Sequence, residues 1–82
     1  MNAVRVMLFA RARELAGAES LSLPIPAAAT VADLRQELIA RCPALESLLP
    51  RCAVAINGNV AEDAAELPTN AELAILPPVS GG

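Results

Sequence analysis

Histidine, lysine, tryptophan and tyrosine are all missing from this 82-residue sequence, and phenylalanine occurs once, as Phe9. Without histidine the chain lacks the side chain best suited to proton transfer near neutral pH and the commonest metal ligand. Two cysteines cannot complete a tetrahedral zinc site alone, so neither a metal site nor a self-contained catalytic site is expected. One aromatic ring gives successive bases nothing to stack on, and the six cations, all arginines, are scattered along a chain of net charge -3. Nucleic acid is therefore not an expected partner. The apolar runs are too short to cross a bilayer, and Arg5, Arg11 and Arg13 interrupt the region where a leader peptide needs an unbroken apolar stretch. The expectation is a soluble, cytoplasmic chain with no membrane partner.

What remains is aliphatic. Hydrophobic residues make up 55% of the chain and charged residues 18%, which suits one small core of Leu, Val, Ile and Ala in a single domain. No internal repeat or flexible linker divides it.

Residues 4–10 read as a strand, with Val4, Val6 and Leu8 on one face and Arg5, Met7 and Phe9 on the other. A helical turn over 11–16 follows, closed by Gly17 in a left-handed conformation, and 19–23 resumes the period of two as the return strand of a hairpin. Pro24 and Pro26 are expected to interrupt that ladder. Thr30 with Asp33 forms a capping-box pattern that opens the main helix, on which Val31, Leu34, Leu38 and Cys42 share a stripe and Glu37 and Arg41 stand at i,i+4 spacing. Pro43 should stop this helix, leaving one further turn before Pro50. Cys52, Val54 and Ile56 then alternate with Arg51, Ala53 and Ala55, and Asn57-Gly58 is a strong hairpin signal that places a return strand at 59–61. Residues 62–66 read as loop, 68–70 as a turn and 72–76 as the last strand.

Strand, strand, helix, strand, strand, strand in this length predicts an α+β domain over 1–76: a mixed sheet with one main helix packed on one face. A single helix leaves the other face uncovered. Met7, Phe9, Ala74 and Leu76 fall there, and either loops cover them or they mark a docking surface for another protein.

The sequence closes on Leu76-Pro77-Pro78-Val79-Ser80-Gly81-Gly82. Two prolines donate no N–H groups and hold φ near its extended value, so the ladder must end and 77–82 should project as an arm. Those residues can reach roughly 20 Å. Glycines at the tip carry no Cβ and can pass a channel too narrow for side chains. A carboxylate at such a tip is a potential acyl group, inert until a separate ATP-using enzyme turns one oxygen into a leaving group by forming an acyl-adenylate. A sulfur nucleophile can then displace AMP, leaving a thioester or a C-terminal thiocarboxylate. The other reading of Gly81-Gly82 is a loose terminus without a role.

These segments together resemble the MoaD/ThiS sulfur-carrier family over essentially the whole chain. Phe9-Ala10-Arg11-Ala12-Arg13-Glu14-Leu15-Ala16-Gly17 is similar to the F-A-x-x-R-E-x-x-G segment of molybdopterin synthase small subunits, and residues 30–38 to their T-V-x-x-L-R-x-x-L helix opening. The closing segment resembles their P-P-V-x-G-G terminus. A departure is Thr69-Asn70-Ala71, where the family often has an Asp-Gly-Asp turn. The resemblance implies a ubiquitin-like β-grasp fold and a sulfur carrier acting as the non-catalytic small subunit of a heterotetrameric sulfurtransferase. Gly82 would be adenylated by a ubiquitin-activator-like enzyme using ATP and Mg, and converted to the thiocarboxylate by a sulfur donor protein. Pro77, Pro78, Val79, Ser80 and Gly81 would insert into the molybdopterin synthase large subunit, where sulfur passes to cyclic pyranopterin monophosphate to build the dithiolene. Met7, Phe9, Arg13 and Leu76 would contact the partner, and this chain itself would bind no cofactor. A lysine-free chain fits catalytic lysines on the large subunit, although an arginine-only composition also follows from genomic bias.

Cys42 and Cys52 invite sulfur chemistry, but both fall on apolar faces, where a thiol is usually an inert core group. Arg13 and Glu14 fit either an interface or a solvated helix face. A thiamine-pathway sulfur carrier or a ubiquitin-related modifier would share the fold and the Gly-Gly end. From another class, a β-grasp module that docks through its sheet without acyl chemistry remains open.

Overall fold

The computed structural model describes residues 2–78 of the chain. Within them the strands β1 (Asn2–Leu8), β2 (Ser20–Ile25), β3 (Ala53–Ile56), β4 (Asn59–Ala61) and β5 (Glu72–Leu76) are joined by helices α1 (Ala10–Ala16) and α2 (Val31–Arg41) and two 3-10 turns, Pro43–Leu45 and Leu49–Arg51.

Val4, Val6 and Leu8 of β1 all enter the core, as a period of two requires. The strand stops at Leu8, short of residue 10, because Phe9 is the extended N-cap of α1 and Ala10 swings to φ 49° to start the helix. Gly17 closes α1 at φ 70°, its N–H donating to the Arg13 carbonyl at 2.9 Å. The antiparallel hairpin then pairs Met7 with Ser20 and runs on to Asn2 with Ile25. Pro24 therefore sits inside β2, opposite Ala3, instead of ending it. β2 is an edge strand, where a position without an N–H can face the open side.

Thr30 and Asp33 cap α2 reciprocally: the Asp33 N–H donates to Thr30 Oγ1 at 3.3 Å and the Thr30 N–H to Asp33 Oδ2 at 2.9 Å. The next two orphan donors of the helix, on Val31 and Ala32, bond the carbonyls of Ala65 and Asp63 at 2.9 and 3.1 Å. Loop 62–66 is thus fastened to the start of α2. Val31, Leu34 and Leu38 are fully buried, whereas Cys42 has become the half-buried C-cap because Pro43 turns the chain away. Glu37 and Arg41 form the expected pair at 3.1 Å. In place of one further turn there are two of 3-10 type, which carry Leu45 and Leu49 into the core.

Asn57 and Gly58 both take positive φ, 50° and 86°, the type I′ geometry that matches strand twist. The sheet order is β2-β1-β5-β3-β4, with β1 and β5 parallel and the other pairs antiparallel. The last strand is consequently the central one. Val6, Leu73, Ile75 and Val54 of the sheet are fully buried in one hydrophobic core with Val31, Leu34 and Leu38 of α2.

Candidate functional site: the chain end and the outer sheet face

β5 lies between β1 and β3, so the chain leaves the sheet at its middle. Leu76, its last residue, pairs with Ala53. Pro77 is half-buried and Pro78 exposed; neither can donate to a neighbouring strand. Val79, Ser80, Gly81 and Gly82 lie outside the described residues, so the calculated reach of the arm is a property of the sequence.

On the face turned away from α2, the registers align Met7, Ala74, Ala55 and Val60 in one row across four strands. The next row toward the chain end holds Leu76 and Ala53, and Phe9 follows Leu8 as Leu76 follows Ile75. Phe9 is 44% and Val60 70% exposed, whereas Met7 and Leu76 are half-buried. No described loop covers Phe9 and Val60, and the apolar surface adjoins the point where the chain leaves the sheet. Arg5 and Glu72, opposite each other in the register and both exposed, bound it on the side away from the chain end.

Met7, Phe9 and Leu76 are therefore brought together. Arg13 is placed differently: on α1, its Nη1 lies 3.7 Å from Glu19 Oε1 across the turn into β2, while Arg11 and Glu14 pair at 3.3 Å. Val60 was missed by pattern reading, which placed its strand without assigning its face. The signal was present, because a two-residue turn at Asn57-Gly58 sets Val60 opposite Ala55.

Arg35 was also missed. Its side chain is 19% exposed, and its guanidinium donates to Asp63 Oδ1 at 2.9 Å, to the Leu49 carbonyl at 2.6 Å and to the Cys52 carbonyl at 2.9 Å. An arginine fork can serve three acceptors at once; a lysine cannot reproduce that geometry. The available signal was the arginine of the T-V-x-x-L-R segment.

Cys52 is buried, its thiol 3.4 Å from the Leu48 carbonyl. Burial pushes the thiol pKa up against the opposing pull of Arg35 and Arg51, which keeps it protonated and unreactive. Among the described residues no group of three or more His, Cys, Asp or Glu side chains is arranged to hold a metal ion, and no helix is long and apolar enough to cross a membrane.

A mixed five-stranded sheet gripping one main helix, with β5 at its centre, defines a ubiquitin-like β-grasp protein. A molybdopterin synthase sulfur carrier subunit of Arabidopsis thaliana is 40% identical over 79 residues, covering 96% of this chain and 82% of that protein. The crystal structure of SAMP1 from Haloferax volcanii superposes with a TM-score of 0.88 at 34% identity, covering 99% of this chain and all of that one. Subunit 1 and 2 of the molybdopterin-converting factor of Helicobacter pylori form a complex in which a chain 23% identical to this one has the same fold, with a TM-score of 0.69 over 98% of this chain and 99% of that chain. The chain belongs to the ThiS family, whose model matches residues 6–82.

Proposed function

We propose that this chain is the sulfur-carrying small subunit of a molybdopterin synthase. The observation that carries the reading is the meeting of two features: a central strand that releases a Pro-Pro-x-x-Gly-Gly end, and an exposed apolar face beside the exit. The 40% identity to the Arabidopsis sulfur carrier subunit supports it.

In this reading the outer face docks on a partner and the arm delivers Gly82. An oxygen of its carboxylate attacks the α-phosphorus of ATP in an adenylating enzyme, and Mg-bound pyrophosphate leaves. The outer sulfur of a persulfide on a sulfur donor protein then displaces AMP to give an acyl disulfide, and a thiol attacks the donor's inner sulfur, forming a disulfide with it and releasing the Gly82 thiocarboxylate. Its sulfur attacks an electrophilic carbon of the pterin precursor held by the large subunit, an oxygen substituent leaves that carbon, and hydrolysis of the resulting thioester leaves the sulfur on the pterin and returns the Gly82 carboxylate. This chain contributes the acyl group and its placement, and the partners contribute acids, bases and ATP.

Incubation with the cognate adenylating enzyme, ATP and a sulfur donor, followed by intact-mass spectrometry, tests the proposal. Exchange of one terminal oxygen for sulfur on Gly82 is expected, followed by conversion of the pterin precursor when the large subunit is added.

A second reading has its own support, the 34% identity to SAMP1, a small archaeal modifier protein. The same adenylate would then be attacked by a lysine amine of another protein. Conjugates in which Gly82 is amide-linked to lysine, formed without pterin precursor, would favour it.

A further inference from the structure

We propose that Arg35 is a positioning residue for the point, at Leu76, where the chain leaves the sheet. It holds the junction between the second 3-10 turn and β3, against which the last residue of β5 is paired. This inference rests on the carrier reading above and adds to it a residue distant from the outer face.

Two arginine contacts bracket the entry to β3. Nη1 holds the Leu49 carbonyl at 2.6 Å and Nη2 the Cys52 carbonyl at 2.9 Å, so a single planar group fixes both ends of the four-residue stretch 49–52. The same stretch is closed by the Cys52 N–H bonding the Leu49 carbonyl at 3.0 Å. Ala53 comes next, and its register partner is Leu76, the residue that precedes Pro77. Beyond Leu76 the two prolines donate nothing to the sheet. The Ala53–Leu76 pair is therefore the last register pair before the prolines, and β3 holds it only as firmly as its own first residue is held. Arg35 sits on α2. It reaches the exit by way of two backbone carbonyls. Asp63, 62% exposed, accepts from Nε on the solvent side, away from the two carbonyls.

Delivery of a carboxylate into a narrow site depends on orientation, so a loosened exit should slow the charged step and spare docking. The experiment compares Arg35→Lys, Arg35→Ala and Asp63→Asn with the wild type in two measurements. On the free protein, amide hydrogen exchange is read at Ala53 and Leu76 and normalised to Val6. With the adenylating enzyme, kcat and KM for the carrier are separated. Both Arg35 variants are expected to exchange faster at Ala53 and Leu76 relative to Val6, and to lose about tenfold or more in kcat with KM little changed. Asp63→Asn, which leaves the two carbonyl contacts intact, should resemble the wild type in both. A merely structural role gives another result. Because the carrier is the enzyme's substrate, partial unfolding lowers its effective concentration, which raises the apparent KM and leaves kcat intact. That outcome, or exchange that rises only in step with Val6, overturns the proposal. If wild-type protein is not charged at all, the carrier reading fails, and exchange on the free protein decides whether Arg35 holds the exit.

Discussion

Arg35 and Asp63 meet at 2.9 Å, but the two ends of this ion pair stand in different environments, 19% exposed on the arginine side and 62% on the carboxylate side. The carboxylate is replaceable by water, whereas the Leu49 and Cys52 carbonyls lie against a part-buried guanidinium. Removing Arg35 takes away three hydrogen bonds at once, two of them to part-buried carbonyls. Arg35→Ala should cost about 2–3 kcal/mol of folding stability and Asp63→Ala less than about 1 kcal/mol. Urea denaturation of the two variants checks this difference; equal losses would place the interaction at the surface.

The α2 cap predicts a separate loss. Thr30→Ala removes the acceptor for the Asp33 N–H and leaves the other half of the box, Thr30 N–H to Asp33 Oδ2, intact. A decrease of about 1 kcal/mol is expected in the same denaturation measurement.

Gly58 has φ 86° and nothing within 4 Å of where a Cβ would stand. Gly58→Ala should therefore cost only the conformational penalty, about 1 kcal/mol, with no cavity or clash contribution. A much larger loss of melting stability would mean that the turn makes contacts of its own.

Alkaline pH tests the buried thiol. Its folded-state pKa is raised above the ordinary 9.0, chiefly by burial. Stability from Cys52 is thus fully present below that ordinary value and is lost as pH rises through the folded value. Lysine and tyrosine are absent, so few other groups titrate there. Unfolding midpoints from roughly pH 8 to 10 should fall more steeply in wild type than in Cys52→Ala; parallel slopes would contradict the assignment.

Much of this fold could be read from residue pattern because the deciding interactions are local. Asn57-Gly58, Thr30 with Asp33, and Gly17 each act through their own backbone within a few residues, and each holds its expected place. Strand β5 and the helix stripe from Val31 to Leu38 were equally legible, since a period of two or 3.6 reports burial directly. Interactions between distant segments were not. Pro24 reads as a breaker until the sheet order makes β2 an edge. Arg35 has no role assigned by pattern, because its partners come from the 3-10 turns that bring two carbonyls to it. The outer sheet face was half legible: Met7, Phe9 and Leu76 follow from alternation, whereas Val60 requires the register of the hairpin.

The outer face should act through exposed side chains that folding does not need. Replacing Phe9 and Val60 together by Glu should leave the protein folded at a cost of about 1–3 kcal/mol, most of it from the covered part of Phe9, since Phe9 is 44% and Val60 70% exposed. Binding to the large subunit, measured by calorimetry, should be lost. Retained affinity would move the interface elsewhere.

The central claim is that Gly82 carries the sulfur, and intact-mass spectrometry tests it most directly. Wild type, a variant lacking Gly82 and a variant extended by one residue are each incubated with the adenylating enzyme, ATP and a sulfur donor. Oxygen-to-sulfur exchange located on the terminal glycine of the wild type alone is the predicted result. No exchange in the wild type, or undiminished exchange in the extended variant, would contradict the account.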